Sequence, residues 1–402
     1  MVDDKEMRTV SVRLKRGAGY PIEIGAGALG RVGAVARERL SPHARRVAVV
    51  SNKRVFGLYG GRVVESLRGA GFDVSQWMMG EGERFKSLKT AERALRFMSE
   101  ARLERSDAVV ALGGGVVGDL AGFAAALYLR GVAFIQAPTT LLAQIDSSVG
   151  GKTGVNTAAG KNLVGAFHHP RAVLIDTETL RTLPRRELTA GWCEAIKQGA
   201  AGDAALFRRT VEYLTQGARA GTKAARVGKR VAAGAVDEVD GRGRDEDELA
   251  ALIAAQCAFK AKIVAGDERE EVGRTDARSR SILNFGHTVG HALEALTRYR
   301  RFRHGEAVGH GMLVAAELST RLGLLGATEL ESLREAVRLA GRLPRADDLG
   351  PDAIRRALRA DKKSVGGSVR WVLLERLGRA RVVDGREVTA SVVRESLRAA
   401  LC

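Results

Sequence analysis

Two histidines, His287 and His291, fall four residues apart in NFGHTVGH, in a chain with seven histidines among 402 residues. Residues four apart on a helix share a face, which suits a metal ion, a proton relay, or two satisfied polar groups beside a core. A third histidine, His304, follows in RHGEAVGHGM. Upstream, WCEAIKQG sets Glu194 and Lys197 three apart on one helical face, a spacing shared by ordinary intrahelical ion pairs. One glutamate and two histidines make three protein ligands with an open position, the composition of a catalytic zinc site. Spacing alone leaves open which of His287, His291 and His304 take part.

A second set of chemistry-bearing residues lies in the first half of the chain. In GGGVVGD (113–119), Gly113, Gly115 and Gly118 have the spacing that lets backbone approach a pyrophosphate at a helix N-terminus. The dinucleotide fingerprint also calls for an acidic residue about 20 positions later to hold the ribose. No Asp or Glu occurs between Asp119 and Asp146. Either the motif is a packing turn, or the ribose is held from elsewhere, for which EGERFK offers Glu83 and Lys86. Beyond it, Arg130, Lys152, Lys161 and Asn162 place cations on a glycine-rich scaffold, a design for phosphate or carboxylate; the plainer alternative is a solvated basic loop.

The elements that must carry these groups follow from periodicity. RRVAVVSN (45–52), DAVVALGGG (107–115), VAFIQAPTT (132–140) and AVLIDTETL (172–180) read as buried strands, with GGRVVESLRGAG (60–71) as an amphipathic helix between two of them. Apolar strands alternating with helices imply parallel βαβ units covered on both faces. DSSVGGKTGVNTAAGKNLVGAF (146–167) has no strong period and reads as a long ordered loop. From about residue 185 helical periodicity dominates, until the strand-like VRWVLLERL that follows DKK (361–363). The expectation is an α/β nucleotide-binding domain with a parallel sheet at 1–185 and a mainly α-helical metal- and substrate-binding domain at 186–402. Within the latter, 216–248 is basic then acidic with no aromatic residue, and reads as a flexible insertion.

Composition narrows the function classes. The formal net charge of +18 fits either nucleic acid or anionic small molecules. The basic residues are spread along the chain and lack the aromatic interleaving of a single-strand binder, so nucleic acid is not expected as a partner. Cys193, Cys257 and Cys402 show no CxxC spacing and read as reduced thiols. The acidic start MVDDKEMR has no signal-peptide character, and LAGFAAALYL (120–129) is too short to span a membrane. A cytoplasmic protein without a membrane partner is expected.

In order along the chain come GGGVVGDLAGF, YLRGVAFIQAPTTLLAQIDSSVGGKTGVN, GKNLVGAFHHP, DTETLRTLPRRE, EAIKQG, LNFGHTVGHALE, HGEAVGHGM and DKK. This set resembles the 3-dehydroquinate synthases of the sugar phosphate cyclase group, from about residue 9 to 398. The resemblance implies a homodimeric enzyme that closes 3-deoxy-D-arabino-heptulosonate 7-phosphate to 3-dehydroquinate, releasing phosphate, in the shikimate route. It implies Glu194, His287 and His304 as ligands of zinc or cobalt, with His291 as a relay. NAD would lie on Gly113, Gly114, Gly115, Val116, Gly118 and Asp119, with Glu83, Lys86, Thr139, Thr140, Lys152, Lys161, Thr179, Leu180 and Thr182 nearby. Substrate positions matched by motif are Lys152, Lys161, Asn162, Lys197, Lys260, Arg280, Asn284 and Lys362, with Lys363 as the alternative to Lys362. Arg130 matches one that reaches across the dimer interface. In this chain Gly191-Trp192-Cys193 stands where the family has small residues before the ligand glutamate, putting bulk and a thiol beside the metal.

Rival readings are another sugar phosphate cyclase, acting on a substrate without the carboxylate, and more distantly an iron-type polyol dehydrogenase. The first would lose cationic positions, yet Lys260, Arg280 and the DKK run are present. The second would accumulate NADH.

Overall fold

The computed structural model describes residues 7–15, 17, 19–228, 246–271, 273–274, 276, 279–360 and 369–401. It divides into two compact units, Met1–Leu183 with Asp245–Arg269, and Pro184–Arg244 with Glu270–Cys402.

The first unit is built on a seven-stranded sheet. Its strands are β1 (Arg8–Val12), β2 (Tyr20–Gly25), β3 (Arg46–Asn52), β4 (Asp73–Met79), β5 (Ala108–Gly113), β6 (Ala133–Pro138) and β9 (Ala172–Asp176), in the spatial order β1-β2-β9-β6-β5-β3-β4. Only the β1–β2 pair is antiparallel. The uninterrupted apolar runs of β3 and β5 follow from burial on both faces. Val47 and Val49, with Ala108, Val110 and Leu112, enter one core cluster; Ala48 and Val50, with Val109 and Ala111, enter the other. That alternation is the two-residue period of a strand, and each fully buried Val or Leu contributes about 1.5–3 kcal/mol. β4 lies on one side of β3 and β5 on the other, so the strand order reverses at β3. Ligands of such sheets bind outside the carboxyl ends of the strands at that reversal, where β5 runs into the glycine motif.

Residues 146–167 are not the loop expected. After a π-turn at Ala143–Ser147 they form an antiparallel hairpin of β7 (Lys152–Thr157) and β8 (Gly160–Phe167). Its period is hidden because Gly154 and Gly165 pair directly, and a Cβ on Gly165 would lie 2.2 Å from the Thr153 carbonyl oxygen. The hairpin packs on the Gly115–Leu127 helix, where a Cβ on Gly122 would lie 2.5 Å from Thr153 Cγ2.

The Glu246–Gly266 helix was expected in the C-terminal domain, yet it groups with the first unit, packing on β1, β2 and the Ala143–Ser147 turn. It is long and apolar enough to cross a membrane, with half of that window buried, and its packing on the sheet accounts for the composition. The expected insertion at 216–248 is helical where described. Residues 216–228 continue the Ala204–Gly228 helix and 246–248 open the next; residues 229–245 lie outside the described residues.

The second unit is mainly helical. The buried His304–Arg321 helix packs against the Arg185–Gly202, His287–Leu296 and Ala390–Leu401 helices. The strand-like VRWVLLERL becomes β10 (Arg370–Arg376), paired with β11 (Arg379–Asp384).

Candidate active site

In the second unit, Glu194 lies on a helix whose residues 189–201 are buried all round. Lys197 Nζ lies 2.5 Å from Glu194 Oε2, and both side chains are essentially inaccessible. This is therefore not the solvated intrahelical pair that the spacing allows. A buried carboxylate is costly unless a cation accompanies it.

His287 and His304 each open a helix. Gly286 precedes His287 at φ 79°, and a Cβ there would come within 2.8 Å of the Met312 nitrogen and the Val308 carbonyl oxygen. Glycine is thus required twice over at this position, by conformation and by close approach. His304 is set by its neighbour Glu306, which accepts the Arg303 N–H at 2.7 Å and both the Nε and Nη2 of Arg186, at 2.8 and 2.6 Å. Arg186 belongs to the same helix as Glu194, so the first turn of the His304 helix is tied to the Glu194 helix.

The three imidazoles converge. Ring centroids lie 5.1 Å apart for His287 and His304, 5.4 Å for His287 and His291, and 5.9 Å for His291 and His304. One nitrogen from each fits within 4.8 Å of the others. His304 Nε2 lies 3.7 Å from Glu194 Oε1. Ligands of a tetrahedral zinc, with bonds of about 2.0–2.2 Å, stand about 3.4 Å apart. The Glu194–His304 pair is thus close to ligating distance and the histidines need a contraction of under about 1.5 Å. The donor set and spacing fit a divalent ion.

Trp192 and Cys193 are both buried. Trp192 packs against Tyr213 with ring centroids 5.4 Å apart. Burial, with the nearby Glu194 and Glu306 carboxylates, pushes the Cys193 thiol up, which disfavours the reactive thiolate. Arg280, itself buried, starts the Arg280–Asn284 turn that ends at Asn284, three residues before His287. Lys362 and Lys363 lie outside the described residues.

In the first unit, Gly114 is the N-cap of the Gly115–Leu127 helix, and Thr139 N–H donates to Gly113 O at 3.0 Å, joining the ends of β5 and β6. A Cβ on Gly118 would sit 2.6 Å from Gln136 Oε1, so this glycine serves close helix–strand packing. Val116 lies in the first turn. Asp119, one turn further on, receives Lys86 Nζ at 2.5 Å, and Lys86 also donates to Asn162 Oδ1 at 2.6 Å. Burial holds the Asp119 carboxyl above its usual range, against the opposing pull of Lys86. Glu83 accepts from Asn156 Nδ2 at 2.7 Å and has Lys161 Nζ at 3.8 Å. The Asn162 N–H donates to Asn156 Oδ1 at 3.0 Å, so Glu83, Lys86, Asp119, Lys161 and Asn162 are one connected group. Thr140 accepts the Ala143 N–H, while Thr179, Leu180 and Thr182 share a turn in which the Tyr59 hydroxyl donates to the Thr179 carbonyl oxygen and meets the Thr182 hydroxyl. Lys152 is exposed at the start of β7. Arg130 is exposed too, in a left-handed conformation at φ 64° beside Leu129 at φ 48°.

Lys260, on the Glu246–Gly266 helix, is buried and ion-paired with Asp146, a residue that the sequence reading had not assigned to the site. Glu294 was also missed. It lies two turns past His287 on the same helix, and that seven-residue spacing was the available signal.

Residues 76–190 match the family described as 3-dehydroquinate synthase N-terminal, and residues 191–364 the one described as 3-dehydroquinate synthase C-terminal. The chain is 44% identical to a 3-dehydroquinate synthase of Pelotomaculum thermopropionicum, over 94% of each protein. It is 42% identical to that of a Picosynechococcus species, over 89% of this chain and 90% of the other. Among solved structures it is similar to a 2-epi-5-epi-valiolone synthase from Streptomyces hygroscopicus with NAD+ and Zn2+ bound, at 27% identity and a TM-score of 0.78, covering 96% of this chain and 98% of that one.

Proposed function

The chain belongs to the 3-dehydroquinate synthase family, and we propose that it converts 3-deoxy-D-arabino-heptulosonate 7-phosphate to 3-dehydroquinate and phosphate with bound NAD and a divalent metal ion. The observation that carries this reading is the 44% identity to a 3-dehydroquinate synthase over 94% of the chain.

Glu194, His287 and His304 hold the ion on this reading, and a carboxylate with two imidazoles suits zinc or cobalt. The ion supplies a Lewis acid that eases deprotonation of a sugar hydroxyl, and NAD a reversible hydride acceptor that ends as it began. His291, ring-to-ring with His287 and His304, moves protons at its imidazole nitrogens. Lys197 stands against Glu194 as its buried counter-charge. Lys152, Lys161, Asn162, Lys197, Lys260, Arg280, Asn284 and Lys362 bind the phosphate and carboxylate, anions that need several cations. Arg130 serves the active site of the second subunit of a homodimer. Gly114, Gly115, Val116, Gly118, Asp119, Glu83, Lys86, Thr139, Thr140, Thr179, Leu180 and Thr182, with Lys152 and Lys161, hold the NAD. We read the protein as cytoplasmic, with neither nucleic acid nor membrane as partner. Against a nucleic-acid partner, several surface arginines already have carboxylate partners, as in Arg338–Glu335 and Arg345–Asp347.

The test compares phosphate release from the carboxylated heptulosonate phosphate with release from carboxylate-free sugar phosphates of similar length. Turnover of the carboxylated substrate alone is expected. Turnover restricted to a carboxylate-free sugar would transfer the chain to another cyclase specificity, and the roles of Lys260 and Arg280 would fall first.

A further inference from the structure

His304 stands between two buried carboxylates. Its Nε2 faces Glu194 Oε1 at 3.7 Å, and its Nδ1 lies 3.2 Å from Glu294 Oε2. Glu294 is 2% exposed and sits on the His287–Leu296 helix, the element that also carries His287 and His291. We infer that Glu294 is a positioning residue for the metal centre: it accepts the Nδ1–H of His304, so that the lone pair on Nε2 is left for the ion shared with Glu194. The inference rests on the reading of this cluster as a metal site.

The argument is geometric. A neutral imidazole carries one N–H, and an ionised carboxylate only accepts. A carboxylate at Nδ1 therefore fixes the proton there and orients the ring about that bond. Metal-ligating histidines are commonly held in this way, through the nitrogen that faces away from the ion. His287 achieves the same end differently, since its Nδ1 lies 3.3 Å from the backbone carbonyl oxygen of Phe285. One imidazole is thus backed by main chain and the other by a buried side chain. Substitution at Glu294 can loosen His304 while leaving His287 in place.

Glu294→Gln tests this with little change of volume. The amide is a weaker acceptor, and its NH2 group, if turned to Nδ1, drives the proton to Nε2, which then cannot ligate. Zinc affinity of the metal-stripped protein, measured by competition with a fluorescent chelator, is expected to fall about 10–100-fold. Thermal stability of the metal-free variant is expected to stay near that of wild type, which separates positioning from a structural role. An affinity equal to wild type overturns the inference. Should the variant fail to fold, long-range 15N–1H spectra of histidine-labelled wild-type protein decide: a His304 proton on Nδ1 supports the assignment and one on Nε2 sinks it. Wild-type protein that takes up no zinc at all would instead remove the metal-site reading, and the inference with it.

Discussion

Gly305→Ala is expected to abolish tight metal binding without touching a ligand. The added Cβ would lie 1.9 Å from the Ala190 carbonyl oxygen, 2.6 Å from its carbon and 2.7 Å from its Cα. All three are backbone atoms of the Glu194 helix, so no rotamer change relieves the clash. A carbon rarely approaches a carbonyl oxygen closer than about 3.3 Å, so the start of the His304 helix must retreat by roughly 1.4 Å. The His304 Nε2–Glu194 Oε1 separation is 3.7 Å now and would open to roughly 5 Å. Two ligands with bonds of about 2.1 Å can stand at most about 4.2 Å apart on one ion. Overpacking of this kind also costs about 1–3 kcal/mol of stability. Zinc affinity by chelator competition should fall by more than the about 10–100-fold typical of losing an outer partner. Gly61→Ala is the control, because nothing lies within 4 Å of a Cβ there and its φ of −56° is helical. A folded Gly305→Ala protein with wild-type zinc affinity would refute the claim that this contact sets the ligand spacing.

Lys197→Met should lower the stability of the metal-free protein by about 3–5 kcal/mol in urea unfolding, since it removes the cation beside a buried carboxylate. Added zinc should restore much of that loss by supplying positive charge at Glu194, and a variant as stable as wild type without metal would contradict the pairing. Burial holds His168 and His310 below the ordinary imidazole range. The unfolded chain therefore binds more protons below about pH 6.5, and stability should decline as pH falls through that value, with a shallower decline in His310→Gln. Burial also pushes Cys193 up and Cys257 up to about 12. Neither thiol should react with a disulfide reagent at pH 8 until denaturant is added, and fast native labelling of Cys193 would contradict its burial.

The strands β3, β5, β6 and β9 were legible because they are buried on both faces, which leaves a run such as VAVV with no polar interruption. By contrast β4, partly exposed at the sheet edge, and β2 were not read from the sequence. The hairpin at 152–167 was not, because glycines stand where alternation would have shown, chosen for the approach of two backbones. The Glu246–Gly266 helix was legible as a helix, but an apolar surface does not say which neighbour it covers, and the structure puts it on β1 and β2. At the site, residue types and spacing brought out Glu194, His287, His291 and His304 without choosing among them. What their spacing could not convey is the depth of burial, which turns Glu194–Lys197 from a surface pair into a centre of fixed charge. Glu294 was passed over for a related reason: its spacing puts it on the His287 face, but a glutamate in a helix is ordinarily solvated.

The most direct measurement is phosphate release from 3-deoxy-D-arabino-heptulosonate 7-phosphate by purified protein with NAD, before and after chelation, with absorbance at the NADH band followed in parallel. Release that stops with chelator, returns with zinc or cobalt, and leaves no NADH behind is the predicted result. Release indifferent to chelation, or accompanied by NADH build-up, would contradict a metal-dependent cycle in which the nicotinamide is restored.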